Sequence, residues 1–502
     1  MSFPLVLLQP GSRNESQDTE LTTIKLTPNA HSNFQTRFVI PRQGSILDSN
    51  SALIWNIEWN GYDAGNIATE VVTLKQKAGG LPTIQRARFF IGGREIFTTE
   101  DAGHLIHIKH LQRNPDYLEE MVDKEIGSSH GYFCTVDGKF EPSGDASAAS
   151  ELRYSRRLGS GLAGVQCSVL LSDLFSALES LQLPMALDEM RVEIDWNTSF
   201  EEVATAWLTG DGTNGTRDFS QVNQTISITE PRLLLDYLTF NEELRAGLGE
   251  VLQSGMVLPY VHTSMSSKTI AGNTNASAKT EDVHLALQGK LLMKMFVSQR
   301  WSDTIGGVIT PYAQVQGRCR SQRGKDMSYN LFINDIALHD LPVASTSQAY
   351  SFLSMAGQNP VSVQPGFYEY NSDYGDVVAA PQVIAASVGQ AGISLPSAQP
   401  AGTAVLFATV DDATASGVAI RDGQAGTQSY LGFDLAKYDE GSRVVPANAG
   451  YRVGSSAVIL RLTQTGSADG GSPDGTAKTV QVFTEEIRVL QVRGNIVDSM
   501  EA

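Results

Sequence analysis

The sequence predicts an all-β protein built twice over, and three observations carry that expectation. Glycine supplies 46 of the 502 residues and charged residues only 18%, a balance that suits strands joined by turns better than long solvated helices. Short apolar segments alternate with runs rich in Ser, Thr, Asn, Gly and Asp, the residues that turns favour. Matching blocks also recur at an offset of roughly half the chain, the mark of an internal repeat. A chain of this length has room for two large domains.

In the first half, ALIWNIEW (52–59) alternates as a strand does. FFIGGREIFTTEDAGHLIHIKHL (89–111) reads as a strand, a tight turn at Gly92-Gly93, a second strand and a helix capped by Thr98 or Thr99. LSDLFSALESLQLPMALDEMRVEIDW (171–196) changes period midway. Leu171, Leu174, Phe175, Leu178 and Leu181 have helical spacing, so a helix is expected over 172–182, and Pro184 stops it. Beyond it, Arg191, Glu193 and Asp195 alternate with Val192, Ile194 and Trp196, as in a half-buried strand with one wet face. ISITEPRLLLDYL (226–238) closes the half as a strand.

NEELRAGLGEVLQSG (241–255) reads as a linker helix. Asn241 can cap it, Glu242 and Glu243 suit its positive end, and Leu244, Leu248, Val251 and Leu252 form an apolar stripe that Gly255 ends. The second half then repeats the first. KLLMKMFV (290–297) stands for ALIWNIEW, and VQVFTEEIRVLQV (480–492) for the closing strand. LFINDIALHDLPVASTSQAYSFLSMA (331–356) carries a strand, an Asn334-Asp335 turn, a short strand and a helix with Ala349, Phe352, Leu353 and Ala356 on one face. The expected organisation is an N-terminal arm over 1–25, a first domain over 26–240, the linker helix over 241–255, a second domain over 256–495 and a tail over 496–502. Long polar loops are expected at 136–152, 207–220, 265–282, 357–380 and 464–478, where contacts and function concentrate.

The net charge is −18 and the densest basic run is RYSRR (153–157). That excludes neutralisation of nucleic-acid phosphates as the main task. Cys134, Cys167 and Cys319 are odd in number and form no CxxC, which argues against a disulfide framework or zinc ribbon and for buried thiols. The N-terminus has no basic n-region and no segment reaches 18 apolar residues; neither a secretory signal nor a transmembrane helix is expected. Asn14, Asn197, Asn214, Asn223 and Asn275 head glycosylation sequons, read as products of an Asn/Thr-rich composition.

Four motifs suggest chemistry that their context denies. GSGLAG (159–164) matches a dinucleotide loop but lacks the preceding apolar strand and the following helix. Glu193 and Asp195 resemble the E-x-D core of jelly-roll glycosidases, but Asn197, Thr198 and Ser199 stand where the second carboxylate should be. His104, His107 and His110 fan around a helix rather than converging on a metal, and are expected on a helix surface. NSDYGD (371–376) and DGTNG (211–215) offer oxygens to calcium but equally make turns. No catalytic, cofactor-binding or metal-binding residue is expected, and no cofactor.

Three stretches carry a family resemblance. CSVLLSDLFSALESLQLPMALDEMRVEIDWN (167–197), EPRLLLDYLTFNEELRAGL (230–248) and SYLGFDLAKYDEG…YRVGSSAVILRLTQT (429–465) resemble segments of double jelly-roll major capsid proteins of eukaryotic double-stranded DNA viruses, of the polinton-like virus, adintovirus and virophage type. The first resembles a strand, short helix, Leu-Pro segment and strand of the first roll. The second resembles the junction between rolls, and the third the late strands of the second roll. The Ala/Gly/Ser-rich region 377–428 departs from the pattern.

The resemblance implies two consecutive eight-stranded jelly rolls. It implies a structural protein, not an enzyme, that forms homotrimeric pseudo-hexagonal capsomers and tiles an icosahedral shell. Partners would be neighbouring capsomers, penton proteins and minor or cement proteins, without sequence-specific nucleic-acid binding. The location would be the virion, after synthesis in a host cell without secretion. A viral attachment or carbohydrate-binding β-sandwich and a jelly-roll glycosidase are the alternatives.

Overall fold

A computed structural model describes the chain between Thr19 and Glu501. Residues 1–18 and the segments 61–69, 112–156, 159–164, 209–224, 310–318, 320–327, 343–381, 385–403, 407–430, 436–450 and 465–476, with some shorter stretches, lie outside that description. So do the expected helix in 345–356, the GSGLAG, NSDYGD and DGTNG motifs, Cys134, Asn334 and all the sequons except Asn197.

The first half contributes β1 (Thr19–Leu26), β2 (Gln35–Ile40), β3 (Ala52–Asn60), β4 (Ile84–Ile91), β5 (Arg94–Glu100), β6 (Val165–Leu170), β7 (Met190–Trp196) and β8 (Thr225–Phe240). Helix α1 (Ala102–Leu111) follows β5, and the linker helix α2 (Glu242–Ser254) follows β8. The second half contributes β9 (Met256–Ile270), β10 (Lys279–Leu285), β11 (Leu291–Trp301), β12 (Ser328–Ile333), β13 (Ile336–Ala337), β14 (Leu431–Asp434), β15 (Val458–Gln464) and β16 (Lys478–Arg493). A last strand, β17 (Ile496–Glu501), pairs with β16.

Pairing gives the same order twice. In the first half one sheet runs β1-β8-β3-β6 and the other β2-β7-β4-β5. In the second half the sheets run β9-β16-β11-β14 and β10-β15-β12-β13. Each half therefore takes its strands in the order 1-8-3-6 and 2-7-4-5, the connectivity of an eight-stranded jelly roll. The fold is a double jelly roll. The turn at Gly92-Gly93, with φ of 59° and 79°, joins strands four and five of the first roll. Asp335, with φ of 62°, lies in the equivalent turn of the second.

Alternation puts the apolar residues between the sheets of each roll. In the first roll Phe38, Val192 and Phe89 face one another across β2, β7 and β4, all fully buried. Leu53, Trp55 and Ile57 on β3 oppose them from the other sheet. The second roll buries Val458, Leu460 and Leu462 against Val480 and Val482.

Several expectations shift. Thr19–Leu26 pairs along its whole length with Phe240–Leu233, so the last residues of the expected arm form the first strand of the roll. Ile496–Glu501 is likewise a strand rather than a loose tail. The expected loop 265–282 is largely the end of β9 and the start of β10. The expected helix over 172–182 is two single turns, Leu171–Leu174 and Ala177–Ser180, because Phe175 turns extended (φ −126°, ψ 104°). Its ring then meets Phe89 edge-on at 5.7 Å, a packing gain that outweighs a helical bond. Thr98 and Thr99 belong to β5, and the carbonyl of Asp101 accepts the first helical amides of α1.

Leu174, Phe175 and Leu178 are buried as expected. Phe175→Ala should cost about 3–5 kcal/mol in denaturant unfolding. A Cβ on Gly103 would lie 1.9 Å from the Leu81 carbonyl oxygen, so α1 can approach the 80–84 turn only with glycine there. Gly103→Ala should cost at least about 1–3 kcal/mol by the same measurement.

Candidate functional site: the junction between the two rolls

The rolls are joined by more than α2. Buried residues of the first roll form one apolar cluster with Met256, Leu258, Tyr260, Phe296 and Phe483 of the second. Phe97 of β5 meets Tyr260 of β9 edge-on at 5.1 Å. Helix α1 lies in this junction, and His104, His107 and His110 are all buried. The expectation of a helix surface is therefore corrected: the face that the second roll covers cannot be read from the first roll's sequence.

The three histidines do not converge on an ion, and no metal-holding cluster occurs among the described residues. His104 instead faces the second roll. Its Nδ1 lies 3.2 Å from Gln481 Oε1 and its ring stands edge-on to Phe483 at 5.6 Å. Gln481 donates in turn to Asp101 Oδ2 at 2.8 Å. His110 Nε2 lies 3.2 Å from Asp173 Oδ2. Between these pairs Lys109 Nζ reaches Glu485 Oε1 of β16 at 3.0 Å and donates to Ser176 Oγ at 2.8 Å. Ser176 also bonds Thr263 of β9 at 2.8 Å.

Burial alone would push the Lys109 ammonium down, but the charges of Glu485 and Glu179 outweigh it and hold the group above its ordinary value. Burial would likewise raise the Glu485 carboxyl, but Lys109 and Lys294 hold it below the usual carboxylate range. Both groups stay charged, each because the other is there. At the far side of β9, burial together with Arg488 and Lys290 pushes His262 down to about 4, against the opposing pull of Glu486.

Glu193 and Asp195, expected on a wet strand face, are covered by arginines from three strands. Arg37, Arg88 and Arg191 approach Glu193 at 3.7, 3.3 and 3.0 Å. Arg86, Arg88 and Gln35 hold Asp195 at 2.7, 3.2 and 2.8 Å. Burial works to raise the Asp195 carboxyl, but Gln35 and these arginines win and hold it below its ordinary range. A retaining glycosidase needs one protonated carboxyl as acid, and this lattice holds Asp195 ionised. The second roll repeats the device: Arg461 pairs with Asp282 at 2.8 Å and lies over Phe332 at 4.7 Å, as Arg191 lies over Phe90 at 4.1 Å. Cys167 and Cys319 are buried thiols. Asn197 spends its side-chain amide on Pro82 and Glu202.

No protein-family model and no curated protein matches the sequence. Solved structures do. A chain of the Sputnik virophage, seen by cryo-electron microscopy, is similar over 98% of this chain and 92% of its own length, with a TM-score of 0.55 and 12% identity. The mavirus major capsid protein (TM-score 0.48, 13% identity, 98% and 93% covered) and the Faustovirus major capsid protein (0.49, 9%, 96% and 92%) are also similar. The fold is shared with the Sputnik chain.

Two outcomes test the junction. Lys109→Met should cost about 3–5 kcal/mol by stranding Glu485, and adding Glu485→Leu should recover much of it. Because His262 titrates near 4 when folded and near 6.5 when unfolded, the unfolded chain binds the extra proton between those values. Stability should fall as pH drops from about 6.5 and the contribution should level off below about 4. His262→Gln should flatten that segment of a denaturation-midpoint profile.

Proposed function

We propose that this chain is a major capsid protein that assembles as a trimer, each trimer a pseudo-hexagonal tile of an icosahedral shell. One observation carries the reading: the same eight-strand roll occurs twice and the two copies are locked side by side by a buried junction. Three such subunits present six similar rolls, and cyclic closure of a head-to-tail contact is the common route to a ring. The fold shared with the Sputnik virophage chain supports the reading. The role is structural rather than catalytic, and the arginine-held Glu193 and Asp195 support that. Partners are other copies, neighbouring tiles, and penton and minor capsid proteins; the location is the virion, after synthesis without secretion.

Residues 1–18 act as an arm that reaches a neighbouring subunit or an inner partner. Purified protein should sediment as a trimer and appear as flat pseudo-hexagonal particles in negative stain. A monomer at high concentration would overturn the reading. Deleting 1–18 should leave trimers intact and impair growth of the shell.

A further inference from the structure

One pleat of β16 changes company along its length. Val480 and Val482 lie in the core of the second roll. Further along the same pleat, Leu490 and Val492 are buried with residues of the first roll, as are their β9 partners Leu258 and Met256 and Val497 of β17. Tyr260 of β9 completes this seat. Its ring meets Phe97 of β5, and its hydroxyl lies 2.6 Å from Ser499 Oγ of β17. Between core and seat the pleat turns polar: Thr484, Glu486 and Arg488 stand opposite Ser264, His262 and Tyr260.

The charges in this band are unevenly matched. Glu486, 1% exposed, accepts from Arg488 Nε at 2.7 Å through Oε1, and its Oε2 lies 2.8 Å from Nζ of Lys290, in the turn before β11. Both carboxylate oxygens are therefore engaged. His262 is buried beside them, its ring edge-on to Tyr260 at 6.5 Å. Two cations already share one carboxylate, so a proton on His262 would add a third cation with no second anion to meet it. Burial and Arg488 oppose that proton, with Lys290 behind them, against the pull of Glu486. The other elements packed on β9 bring no free carboxylate to the place. On β5, Arg94 pairs with Asp498 of β17, Glu100 pairs with Arg86, and Glu95 is exposed. Glu179 of the Ala177–Ser180 turn and Glu485 of β16 both pair with Lys109. Strand β10 meets the far end of β9, where Lys268 donates to the Asp282 carbonyl.

We propose that the band is an acid-operated latch: a proton on His262 frees the seat formed by β9, β16 and β17 from β5 of the first roll, while each roll keeps its own core. The side chains uncovered are Phe97 and Tyr260 with the aliphatic residues around them. The Lys109–Glu485 pair still ties the rolls together, because Lys109 holds the Glu485 carboxyl below its usual range. The sign is fixed by linkage. The closed seat disfavours the proton and the opened one does not, so opening gains as pH falls below about 6.5 and stops gaining below about 4. The latch goes beyond the tile reading and does not depend on it, since every group in it belongs to one chain.

Hydrogen exchange of the full chain, read by mass spectrometry and normalised to the intrinsic rate at each pH, tests the latch. Between pH 7 and pH 5 exchange in Arg94–Glu100, the start of β9 and Ile496–Glu501 should rise at least about tenfold. Ser328–Ile333 and Val458–Gln464, in the second roll's other sheet, should stay protected. His262→Gln should abolish the rise, which separates His262 from His104, His107 and His110 elsewhere in the junction. Lys290→Gln leaves Glu486 its arginine and removes one of the two cations, so its rise should be smaller than the parent's; it keeps the test open should His262→Gln fail to fold. A parent that shows no rise, a rise as large in either variant as in the parent, or loss of protection in both groups of strands together would overturn the latch. None of these outcomes bears on whether the protein forms trimers, which sedimentation decides separately.

Discussion

A charge taken out of water has to meet its partner in a fixed place, and the Lys109–Glu485 pair at 3.0 Å imposes that on both rolls. Lys109 comes from a helix seated on the first roll, Glu485 from a central strand of the second. Ser176 of the first roll bonds Lys109 and Glu485, and Thr263 of the second bonds Ser176 in turn. Apolar packing such as Phe97 on Tyr260 supplies attraction without direction. The polar set supplies direction: sliding or rotating one roll would leave charges buried and unmatched, at several kcal/mol each. The pair thus converts two sandwiches on a linker into one rigid body, and the regular tile proposed for it depends on that rigidity.

The two rolls share a connectivity but not a surface. Residues of β9 such as Leu258 and Tyr260 are buried with the first roll, whereas on the matching strand β1 Leu21, Thr23 and Lys25 are exposed. On the other sheets the rolls have kept a common device, an arginine over an aromatic ring beside a carboxylate. A ladder of fixed charges on such a face resists strand slippage, since moving a strand by one residue would turn its ion pairs toward the core.

What the sequence made legible is what is encoded locally. Strands at 52–59, 191–196, 226–238 and 480–492 follow from alternation, and the turn at Gly92-Gly93 from its glycines. The repeat was legible because each roll needs the same turns at the same places. The junction was not. His104 owes its burial to Gln481 and Phe483, contacts with no local trace, so an amphipathic reading of α1 looks for a wet face that does not exist. Glu193 and Asp195 alternate as solvated residues do, but their arginines arrive from β2 and β4. Phe175 keeps helical spacing while leaving the helix for Phe89. Strand β1 lacks the strong apolar run of the other strands; its pairing with β8 decides it.

The placement of β16 gives the molecule a timetable. His104 and Gln481 are 377 residues apart, and a ribosome adding about 5–20 residues per second needs about 20–75 s to deliver the second after the first. During that interval the first roll can close on itself but α1 has no counterpart, and the apolar and charged side chains of the junction face solvent. The chain is thus complete in its fold only after nearly all of it has been made. That interval is the period of greatest exposure to aggregation, and it is when a chaperone would have most to protect.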